Sequence, residues 1–573
     1  GVDVLNWSSQ SSDVGVRGYD QPMSPRLLVL VNGRQVYLDH YGYTAWSTIP
    51  VQLSEIRQIE VVKGPNAALF GFNAVSGVVN IITYNPKYDT VGAASASLSS
   101  RNGREVSVVQ TVHLSSKIAA RISAGAAKND EWENTAGLAP VEYRAHPSRA
   151  TVNIDTVASL TDKTELRFES SLSNTQVSDM VSNYSAVYSK YITGSVKLGV
   201  TSDTPLGLVT AGVYRNTLRV TNDLGGPLVL RNTITAYNAQ DLIKVGKHTF
   251  RIGIELRDNK MPTGPLAGGE VSYSVFAPSA MWNWAISDTF STSLAVRSDD
   301  LKLKRTGTFP AGFPLADDAN WDRDISAVSY NAGAVWRLSE KDTLRLMAAK
   351  GIQAPTLIEL GGIQLLVPLP VGALAVMGNP DVRPSIVKNA EVSYDHSFKT
   401  FKIGVRLFDQ STTAVKGSAS FTILFQQPTA NTYPAISWAN VSNSKMTGVE
   451  LSASGNISPA IHWSGDYTAT NIKDTATGGD DLFERRAAYG RLSPKNRANV
   501  NIGWAGGKWT VDAFVHQTGR FESVSPTTSL PGTVPAYTSI AANVGYDLGH
   551  NMTLSVSGQN LGGSQVQTLG FKV

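Results

Sequence analysis

The chain has 573 residues, no cysteine, and 50 lysines and arginines against 46 aspartates and glutamates, for a formal net charge of +4. It therefore has no disulfide framework, thiolate nucleophile or CxxC metal site, and its charge balance offers no concentrated basic face for nucleic acid. No apolar run reaches the roughly 18 residues that a transmembrane helix needs, because the nearest, 365–377, contains Pro368, Pro370 and Gly372.

Residues 14–83 form a non-repetitive segment that differs from the rest of the chain. Within it, LLVLV at 27–31 runs into Asn32 and Gly33, which predicts a strand followed by a turn. The β-rich apolar runs 59–62 and 78–82 suit a small buried sheet, and Gly64 with Pro65 predicts a short helical turn over 65–69. The stretch KGPNAALFG does not fit a phosphate-binding loop, because its glycine spacing is wrong and no Lys-Ser/Thr pair follows.

From residue 90 onward, apolar residues recur with a period of two. Phe401, Ile403, Val405 and Leu407 alternate with more polar neighbours, and 500–504 and 552–556 repeat the pattern. This alternation predicts strands with one apolar face. Because a soluble β-sandwich shows the same alternation, the pattern alone does not establish a membrane protein.

The connections between these strands are of two kinds. Short turns are predicted near 115–117, 161–163, 245–248, 339–342, 505–508 and 548–551. Long loops are predicted at 128–147, 175–191, 258–277, 301–325, 351–386, 412–446, 472–494 and 520–536. Outer-membrane barrels place short turns at one end and long loops at the other, and they use an even number of strands. Pairing the segments as hairpins predicts 22 antiparallel strands, the last ending at residue 573.

Four blocks of the first segment resemble the plug domain of TonB-dependent outer-membrane receptors: VGVRGY, RLLVLVNG, IRQIEVVKGPNAALFG and AVSGVVNIIT. The resemblance continues in family order at 351–360 (GIQAPTLIEL), 378–384 (GNPDVRP), 388–394 (KNAEVSY), 440–451 (NVSNSKMTGVEL) and 559–561. It covers nearly the whole chain. It implies an all-β membrane protein whose 22-stranded antiparallel transmembrane β-barrel (89–573) holds an N-terminal α/β plug domain (1–88) inside its lumen.

The resemblance also implies a function. It predicts TonB-dependent import of a scarce nutrient across the outer membrane of a Gram-negative bacterium, with TonB and ExbB/ExbD of the inner membrane as partners and outer-membrane lipid around the barrel. Ferric siderophores or other metal chelates, the commonest cargo of the family, are predicted first. Vitamin B12, oligosaccharides, aromatic compounds and peptides stay open as small-molecule substrates.

Two other function classes are alternatives to an importer. A passive porin is disfavoured, because porins lack an N-terminal plug. A surface complex with a lipoprotein that caps the barrel is the second alternative. The apolar stretch 365–377 would fit such a contact, and it would equally fit a lid, a lining for a greasy substrate, or packing on other loops.

Four charged positions match a recurrent pairing of the family, in which two plug arginines meet two barrel glutamates. The matching residues here are Arg17, Lys63, Glu391 and Glu450. Lysine at position 63 departs from the usual pattern, because an ammonium group is a point charge without bidentate geometry. We interpret the four as a plug–barrel lock; the plainer alternative is that Arg17 and Lys63 are ordinary solvated charges.

Substrate contacts are expected from outward-facing plug loops. The stretch 37–46 (YLDHYGYTAW) is rich in aromatic rings, and the shorter loop 19–24 adds one more. Such rings offer apolar faces with polar tips, which suit chelates, sugars or planar ligands. The alternative is that they pack the plug against the barrel wall. The candidate residues are Tyr19, Tyr37, His40, Tyr41, Tyr43 and Trp46.

Catalytic and metal sites are not predicted. The eight histidines show no HxxxH or HExxH spacing, and the chain has no GxSxG context, so it is not expected to be an enzyme. An acidic cluster at 317–324 has oxygen ligands for calcium but lacks the glycine of a calcium loop, which favours a solvated loop. Haem receptors of the family favour a FRAP-like and an NPNL-like segment with a nearby histidine, whereas this chain reads IQAP and NPDV without one. No cofactor is predicted, and a ferric chelate would be cargo.

Both ends of the chain carry an expectation. Gly1 follows no signal peptide, so we expect mature protein whose N-terminal part, with any TonB box or signalling domain, is missing. The other end, Phe571-Lys572-Val573, departs from the aromatic terminus of the family, which predicts either one or two missing residues or an altered assembly signal.

Overall fold

The computed structural model describes residues 1–132, 146–182, 184, 186–223, 227–262, 269–309, 317–369, 372–417, 420–423, 434–477, 488–524 and 531–563. The C-terminal residues Phe571-Lys572-Val573, for which missing residues or an altered assembly signal were predicted, lie outside the described residues. In the described part of the chain, no helix is long and apolar enough to cross a membrane.

The N-terminal segment folds into a plug built on a small sheet. Its elements are β1 (Val2–Asn6), β2 (Ser12–Val16), β3 (Leu27–Val31), β4 (Arg34–Gln35), β5 (Ile56–Lys63), helix α1 (Ala67–Phe70) and β6 (Gly77–Thr83). Strands β1 and β2 pair with each other, while the other four have the order β4-β3-β6-β5, with β3 and β6 parallel. The predicted plug strands, the turn at Asn32 and Gly33, and the helical turn after Pro65 are confirmed.

Strands β3 and β6 of the plug sheet are covered on both faces, which explains their continuous apolar runs. Every residue of β3 is buried. Val29 and Val31 pack with Val79 on one face, whereas Leu28 and Leu30 pack on the other face. The prediction that the run 59–62 is buried is wrong, because β5 is an edge strand and its residues Ile59, Val61 and Val62 are exposed.

The rest of the chain is almost entirely β-strand. In chain order the strands are β7 (Gly92–Ser99), β8 (Gly103–His113), β9 (Ile118–Lys128), β10 (Ser148–Ser159), β11 (Thr164–Met180), β12 (Ala186–Asp203), β13 (Leu208–Asp223), β14 (Pro227–Val245), β15 (His248–Pro262), β16 (Glu270–Ala285), β17 (Phe290–Thr306), β18 (Arg323–Arg337), β19 (Asp342–Gln353), β20 (Ile363–Leu369), β21 (Gly372–Met377), β22 (Ser385–Ser397), β23 (Phe401–Lys416), β24 (Ser420–Ile423), β25 (Pro434–Ser437), β26 (Asn440–Ser458), β27 (Ile461–Ala476), β28 (Asn496–Gly506), β29 (Trp509–Thr518), β30 (Phe521–Val524), β31 (Pro531–Val534), β32 (Tyr537–Gly549) and β33 (Met552–Gly558). Two short helices accompany them, α2 (Leu357–Gly361) and α3 (Tyr489–Leu492).

Most of these strands form a single barrel sheet around the plug. Among the described residues the sheet has 21 strands, and sequential strands are antiparallel neighbours. The other six strands lie outside it: β20, β21, β24 and β25 form one small sheet, and β30 pairs with β31. The barrel architecture is confirmed, and the last of the 22 predicted strands would fall at 564–573, outside the described residues.

Alternation along each strand separates an apolar outer face from a polar lumen. On β15, Ile252 and Leu256 are exposed on the outside, while Arg251, Glu255 and Arg257 point to the plug side. An apolar exterior around a polar interior is the pattern of a barrel in lipid, where the outer face replaces water with hydrocarbon.

The predicted short turns and the long connections at 128–147 and 520–536 are confirmed, but several other predicted long loops are too wide. Strand β11 continues to Met180 and β12 begins at Ala186, so the loop predicted at 175–191 shrinks to a few residues. Backbone pairing continues to Met180↔Ala186 although the apolar alternation has already faded. Period-two patterning therefore marks the lipid-facing part of a strand and misses its polar outer end. The two rims are called here the short-turn end and the long-loop end.

The apolar stretch 365–377 belongs to a hairpin, β20–β21, above the barrel wall. Ile363 and Met377, at the two ends of this hairpin, are buried against Trp321. The acidic cluster lies beside this hairpin. Asp318 Oδ1 is 2.7 Å from Arg305 Nη1, and Asp317 caps the following 3₁₀ turn by accepting a hydrogen bond from the Ala319 amide. In the described part of the chain, no group of acidic or histidine side chains is arranged to hold a metal ion.

Candidate functional site

The structure brings the four residues of the predicted plug–barrel lock together. Arg17 Nη1 lies 2.8 Å from Glu391 Oε2, and Arg17 Nη2 lies 2.9 Å from Glu450 Oε2. Lys63 Nζ lies 3.0 Å from Glu450 Oε1, so one carboxylate holds both plug cations. The cluster joins the plug to β22 and β26, which lie near each other across β23.

Arg17 is held by more than charge. Its guanidinium lies 4.1 Å from the centre of the Phe408 ring, and the residue is only 3 % exposed. Its φ of 62° is uncommon for a residue other than glycine, so surrounding contacts must hold the backbone there. Burial works against the charge, yet hydrogen bonds and the negative charges of Glu450 and Glu391 raise the Arg17 pKa above its usual value.

A second buried charge cluster connects the first residues of the plug to strand β28, near the C-terminal end of the barrel. Arg497 on β28 donates from Nε to Asp3 Oδ2 at 2.5 Å and from Nη2 to Asp20. His516 Nε2 lies 3.7 Å from Asp3. Burial raises the pKa of Asp20 to about 6 in spite of Arg497.

A third cluster holds the other side of the plug against the early strands. Arg121 on β9 is fully buried, with Nε 3.0 Å from Glu55 Oε2 and Nη2 3.1 Å from Asp155 Oδ2. Ser123 donates to the other Glu55 oxygen at 2.9 Å. The plug is thus fixed by paired buried charges on two sides, and removing one partner of such a pair leaves an unpaired buried charge.

The predicted aromatic residues of 37–46 do reach the barrel, but most of them are covered. Tyr43 shares a 2.6 Å hydrogen bond with Tyr191 on β12, and Tyr37 donates its hydroxyl to the Pro25 carbonyl inside the plug. Trp46 begins a 3₁₀ turn and packs on the plug core. These three side chains therefore pack the plug, as the alternative interpretation holds.

Tyr41 is the half-buried ring at the centre of this region. It packs edge-on against Tyr43 and against Trp438, with ring centres 6.4 and 6.3 Å apart. His40 lies beside it at 6.0 Å and is itself buried. Burial lowers the pKa of His40 to about 3 and raises that of Tyr41 to about 12. Both side chains are neutral at physiological pH, so this surface offers neutral rings and hydroxyl groups.

The loop that carries Tyr19 is docked on the barrel. Tyr19 donates its hydroxyl to Ser444 at 3.1 Å, and its amide donates to Ser493 Oγ at 3.0 Å. Its ring lies under the Arg26 guanidinium and against Tyr489. Tyr19 therefore links the plug to β26 and α3.

Comparisons with known proteins agree with this arrangement. The family model for the TonB dependent receptor-like β-barrel matches residues 83–561, and the model for the TonB-dependent receptor plug domain matches residues 1–78. The chain belongs to the TonB-dependent receptor family.

The individual relatives of this receptor differ in how much of its chain they match. A vitamin B12 transporter, BtuB, from Photobacterium profundum is 41% identical over 88 residues, which is 15% of this chain and 14% of that protein. An iron-regulated outer membrane virulence protein from Vibrio cholerae is 21% identical over 98% of this chain and 84% of its own length. The crystal structure of the siderophore receptor PirA from Acinetobacter baumannii is 17% identical with a TM-score of 0.75, covering 100% of this chain and 92% of that one. This last likeness shows the fold.

Several functional contacts of the receptor had no signal in the sequence. Trp438, which packs against Tyr41, lies in an outer segment without strong periodicity. Arg497 contacts Asp3 across 494 residues and Asp20 across 477. A contact between positions so far apart can be predicted from one sequence only through a family pattern, such as the one that predicted Glu450.

Proposed function

We propose that this receptor imports a ferric siderophore or a similar metal chelate across the outer membrane of a Gram-negative bacterium. The observation that carries the proposal is a plug that fills the barrel and is held there by buried, breakable charge clusters. Likeness to the siderophore receptor PirA and to an iron-regulated outer membrane protein supports iron chelates as the cargo class.

The structure suggests an order of events. Cargo would bind at the long-loop end, where the half-buried ring of Tyr41, supported by the buried Trp438, presents a neutral aromatic face. TonB, powered by ExbB/ExbD, would then pull on the plug from the periplasm. Force on β1 and β2 acts first on the Arg497 cluster and the plug–barrel lock, because Asp3 and Arg17 lie in or beside these two strands.

Uptake of ⁵⁵Fe tests the proposal directly. Cells that lack their own iron receptors but express this one should accumulate ⁵⁵Fe from at least one ferric siderophore among a catecholate, a hydroxamate and an α-hydroxycarboxylate. Accumulation should vanish when TonB is deleted. Uptake that persists without TonB would indicate a passive pore, and the absence of iron uptake from all three would reject this cargo class.

Vitamin B12 is the second candidate cargo. It is supported by the 41% identity with BtuB, which is confined to 88 residues. Radiolabelled vitamin B12 offered to the same cells separates the two candidates. A surface lipoprotein as a partner stays a prediction, and co-purification of the receptor from its native membrane tests it.

A further inference from the structure

A polar cavity of about 510 Å³ lies between one side of the plug and the barrel wall. The plug side is formed by the sheet edge and turn around Asn32 and Asn80, and the wall side by lumen-facing residues of β11–β17. A smaller void of about 40 Å³ lies along the same wall, beside Tyr37 and Asn216. This side of the plug is therefore loosely packed, in contrast to the two sides held by charge clusters.

The cavity borders on the short-turn end. Gly33, in the turn between β3 and β4, is exposed, and a side chain added there would meet nothing within 4 Å. Arg251 lines the cavity near the start of β15, close to the short turn that precedes that strand. Water and small solutes can therefore enter from this end.

On the β11–β12 side of the cavity the wall contacts the plug directly, since Lys197 Nζ donates to the Asn32 carbonyl at 2.8 Å and Glu165 forms an ion pair with Lys87. The rest of the wall makes few polar contacts with the plug. In the described part of the chain, strands β14–β17 make one hydrogen bond to it, from Asn259 Nδ2 to Asp39 Oδ2 at 2.6 Å. Its charged side chains pair instead within the wall: Arg257 with Glu255 at 2.7 Å, and Arg297 with Asp299 at 2.8 Å. Along β12–β17, plug and wall can separate without breaking an ion pair between their described residues.

Arg251 gives the cavity an uncompensated positive charge. Unlike the other cations of the lining, its side chain makes no ion pair or hydrogen bond with any described residue. Arg257 Nη1 is also buried without a hydrogen-bond partner in the described structure. These donors would favour a ligand that carries anionic oxygen.

A short plug segment closes the outer end of the cavity. The Phe72 ring lies 4.9 Å from the Arg257 guanidinium, and a Cβ on Gly71 would come within 3.3 Å of Arg297 Nη2. Gly71 has a φ of 92°, which only glycine adopts without strain. The segment directly follows α1, so movement of α1 would open this end.

We propose that this cavity is the inner half of the import path, and that Arg251 is an intermediate binding position for anionic cargo. Cargo would pass along β12–β17 once Gly71 and Phe72 leave their position beside Arg257 and Arg297, while the Arg121 cluster keeps the rest of the plug docked on the wall. This inference rests on the proposed function, since it needs a cargo that moves inward.

Blocking the cavity tests the path. Gly199 lines the cavity on β12, and an added Cβ would meet only the Ala211 carbonyl, at 3.8 Å. Gly199→Trp should therefore fill the cavity without a main-chain clash. We expect it to lower ⁵⁵Fe-siderophore accumulation at least about tenfold, with cargo binding to the cell surface unchanged. The matched control is Ser464→Trp, which places the same ring beside a smaller cavity of about 140 Å³ on the β27–β32 side.

Two outcomes would overturn the path. Either wild-type uptake in Gly199→Trp, or an equal loss in Gly199→Trp and Ser464→Trp, would show that the β12–β17 side is not a specific route. If the wild-type receptor imports none of the three siderophores, the proposed function fails instead.

A second measurement needs no cargo. The chain has no cysteine, so Gly199→Cys introduces its single thiol. In purified receptor, we expect an anionic methanethiosulfonate to modify this thiol faster than a cationic one of the same size, and we expect Arg251→Gln to remove the preference. Ser464→Cys should show no dependence on Arg251. An unreactive thiol, or a preference that survives Arg251→Gln, would contradict the anion position whatever the cargo.

Discussion

Glu450 carries an unusual share of the plug–barrel lock, because its two oxygens contact different plug cations. Arg17 is almost fully buried, whereas the Lys63 side chain is 30% exposed. A buried charge that loses its partner costs far more than an exposed one, since water can still solvate the latter. The two cations are therefore unequal in energy although they share one acceptor.

Replacing Glu450 with Gln should weaken plug docking by about 3–5 kcal/mol, because Arg17 would keep a buried charge with Glu391 alone. Lys63→Gln should cost about 1 kcal/mol or less. Hydrogen exchange of β2 amides over a urea series measures both. Lys445→Gln removes an exposed ion pair to Asp409 on the barrel and serves as the control. Equal costs for Glu450→Gln and Lys63→Gln would contradict this ranking.

Asp13 and Asp39 make the stability of the plug depend on pH. Burial raises the pKa of Asp13 to about 7 and that of Asp39 to about 6, whereas an aspartate in an unfolded chain titrates near about 4. The folded plug therefore keeps protons that the unfolded chain releases. The free energy of plug unfolding should fall as pH rises from about 4 to about 7, and it should level off above that range.

Urea unfolding of the plug across this pH range measures the effect. Asp13→Asn should flatten the profile, because it removes a titrating group. The asparagine oxygen can still accept the hydrogen bonds that Trp7 and the Met23 amide donate to Oδ2, and only the Ser24 amide loses its acceptor. Asp409→Asn, on the outer face of the barrel, should leave the profile unchanged. A stability that rises with pH in the wild type would show that these carboxyl groups are ionised in the folded plug.

At the scale of elements, helix α1 connects strand β5 of the plug sheet to Gly71 and Phe72, which close the outer end of the cavity. It packs on β17–β19, and a Cβ built on Gly351 of β19 lies 3.5 Å from the Ala67 Cβ. That separation is within the range of a disulfide. The same built atom comes within 3.1 Å of Pro65, so the single Gly351→Cys variant is a necessary control.

The double variant Ala67→Cys, Gly351→Cys should lose siderophore uptake when oxidised and regain it when reduced. Linking α1 to the wall would keep Gly71 and Phe72 in place, so the outer end of the cavity would stay shut. ⁵⁵Fe accumulation with and without reductant measures this, and each single variant should be insensitive to it. Full uptake by the oxidised double variant would mean that α1 stays on the wall during transport.

At the scale of the whole molecule, the plug is what separates this barrel from a pore. A barrel of this many strands encloses a lumen wide enough to conduct when empty. Deleting residues 1–83 should therefore give a protein with a large, steady conductance in planar bilayers, whereas the full chain should conduct little. A deletion variant that folds and stays closed would show that the long loops block the lumen by themselves.

Sequence patterns predicted the repeated parts of this molecule and missed its single long-range contacts. Alternation such as that at 401–407 predicted the barrel, because lipid on one side imposes a period of two on every strand. Family resemblance predicted that Arg17 would lie near Glu450, whereas Arg497 with Asp3 and Trp438 with Tyr41 left no local trace. The aromatic stretch at 37–46 was recognisable, yet the burial of Tyr43 depends on barrel strands far away in the chain, and that of Tyr37 on the packing of the plug core.

The contact between Asp3 and Arg497 has a consequence for how the molecule is assembled. Asp3 on the first plug strand binds Arg497 on one of the last barrel strands, whereas Glu55 binds Arg121 and Asn153 on early barrel strands. Contacts across such separations form slowly, because the chain must first lose the entropy of closing a very long loop. The plug contacts strands near the beginning and near the end of the barrel sheet. It can therefore bring these strands together and act as an internal template around which the barrel forms.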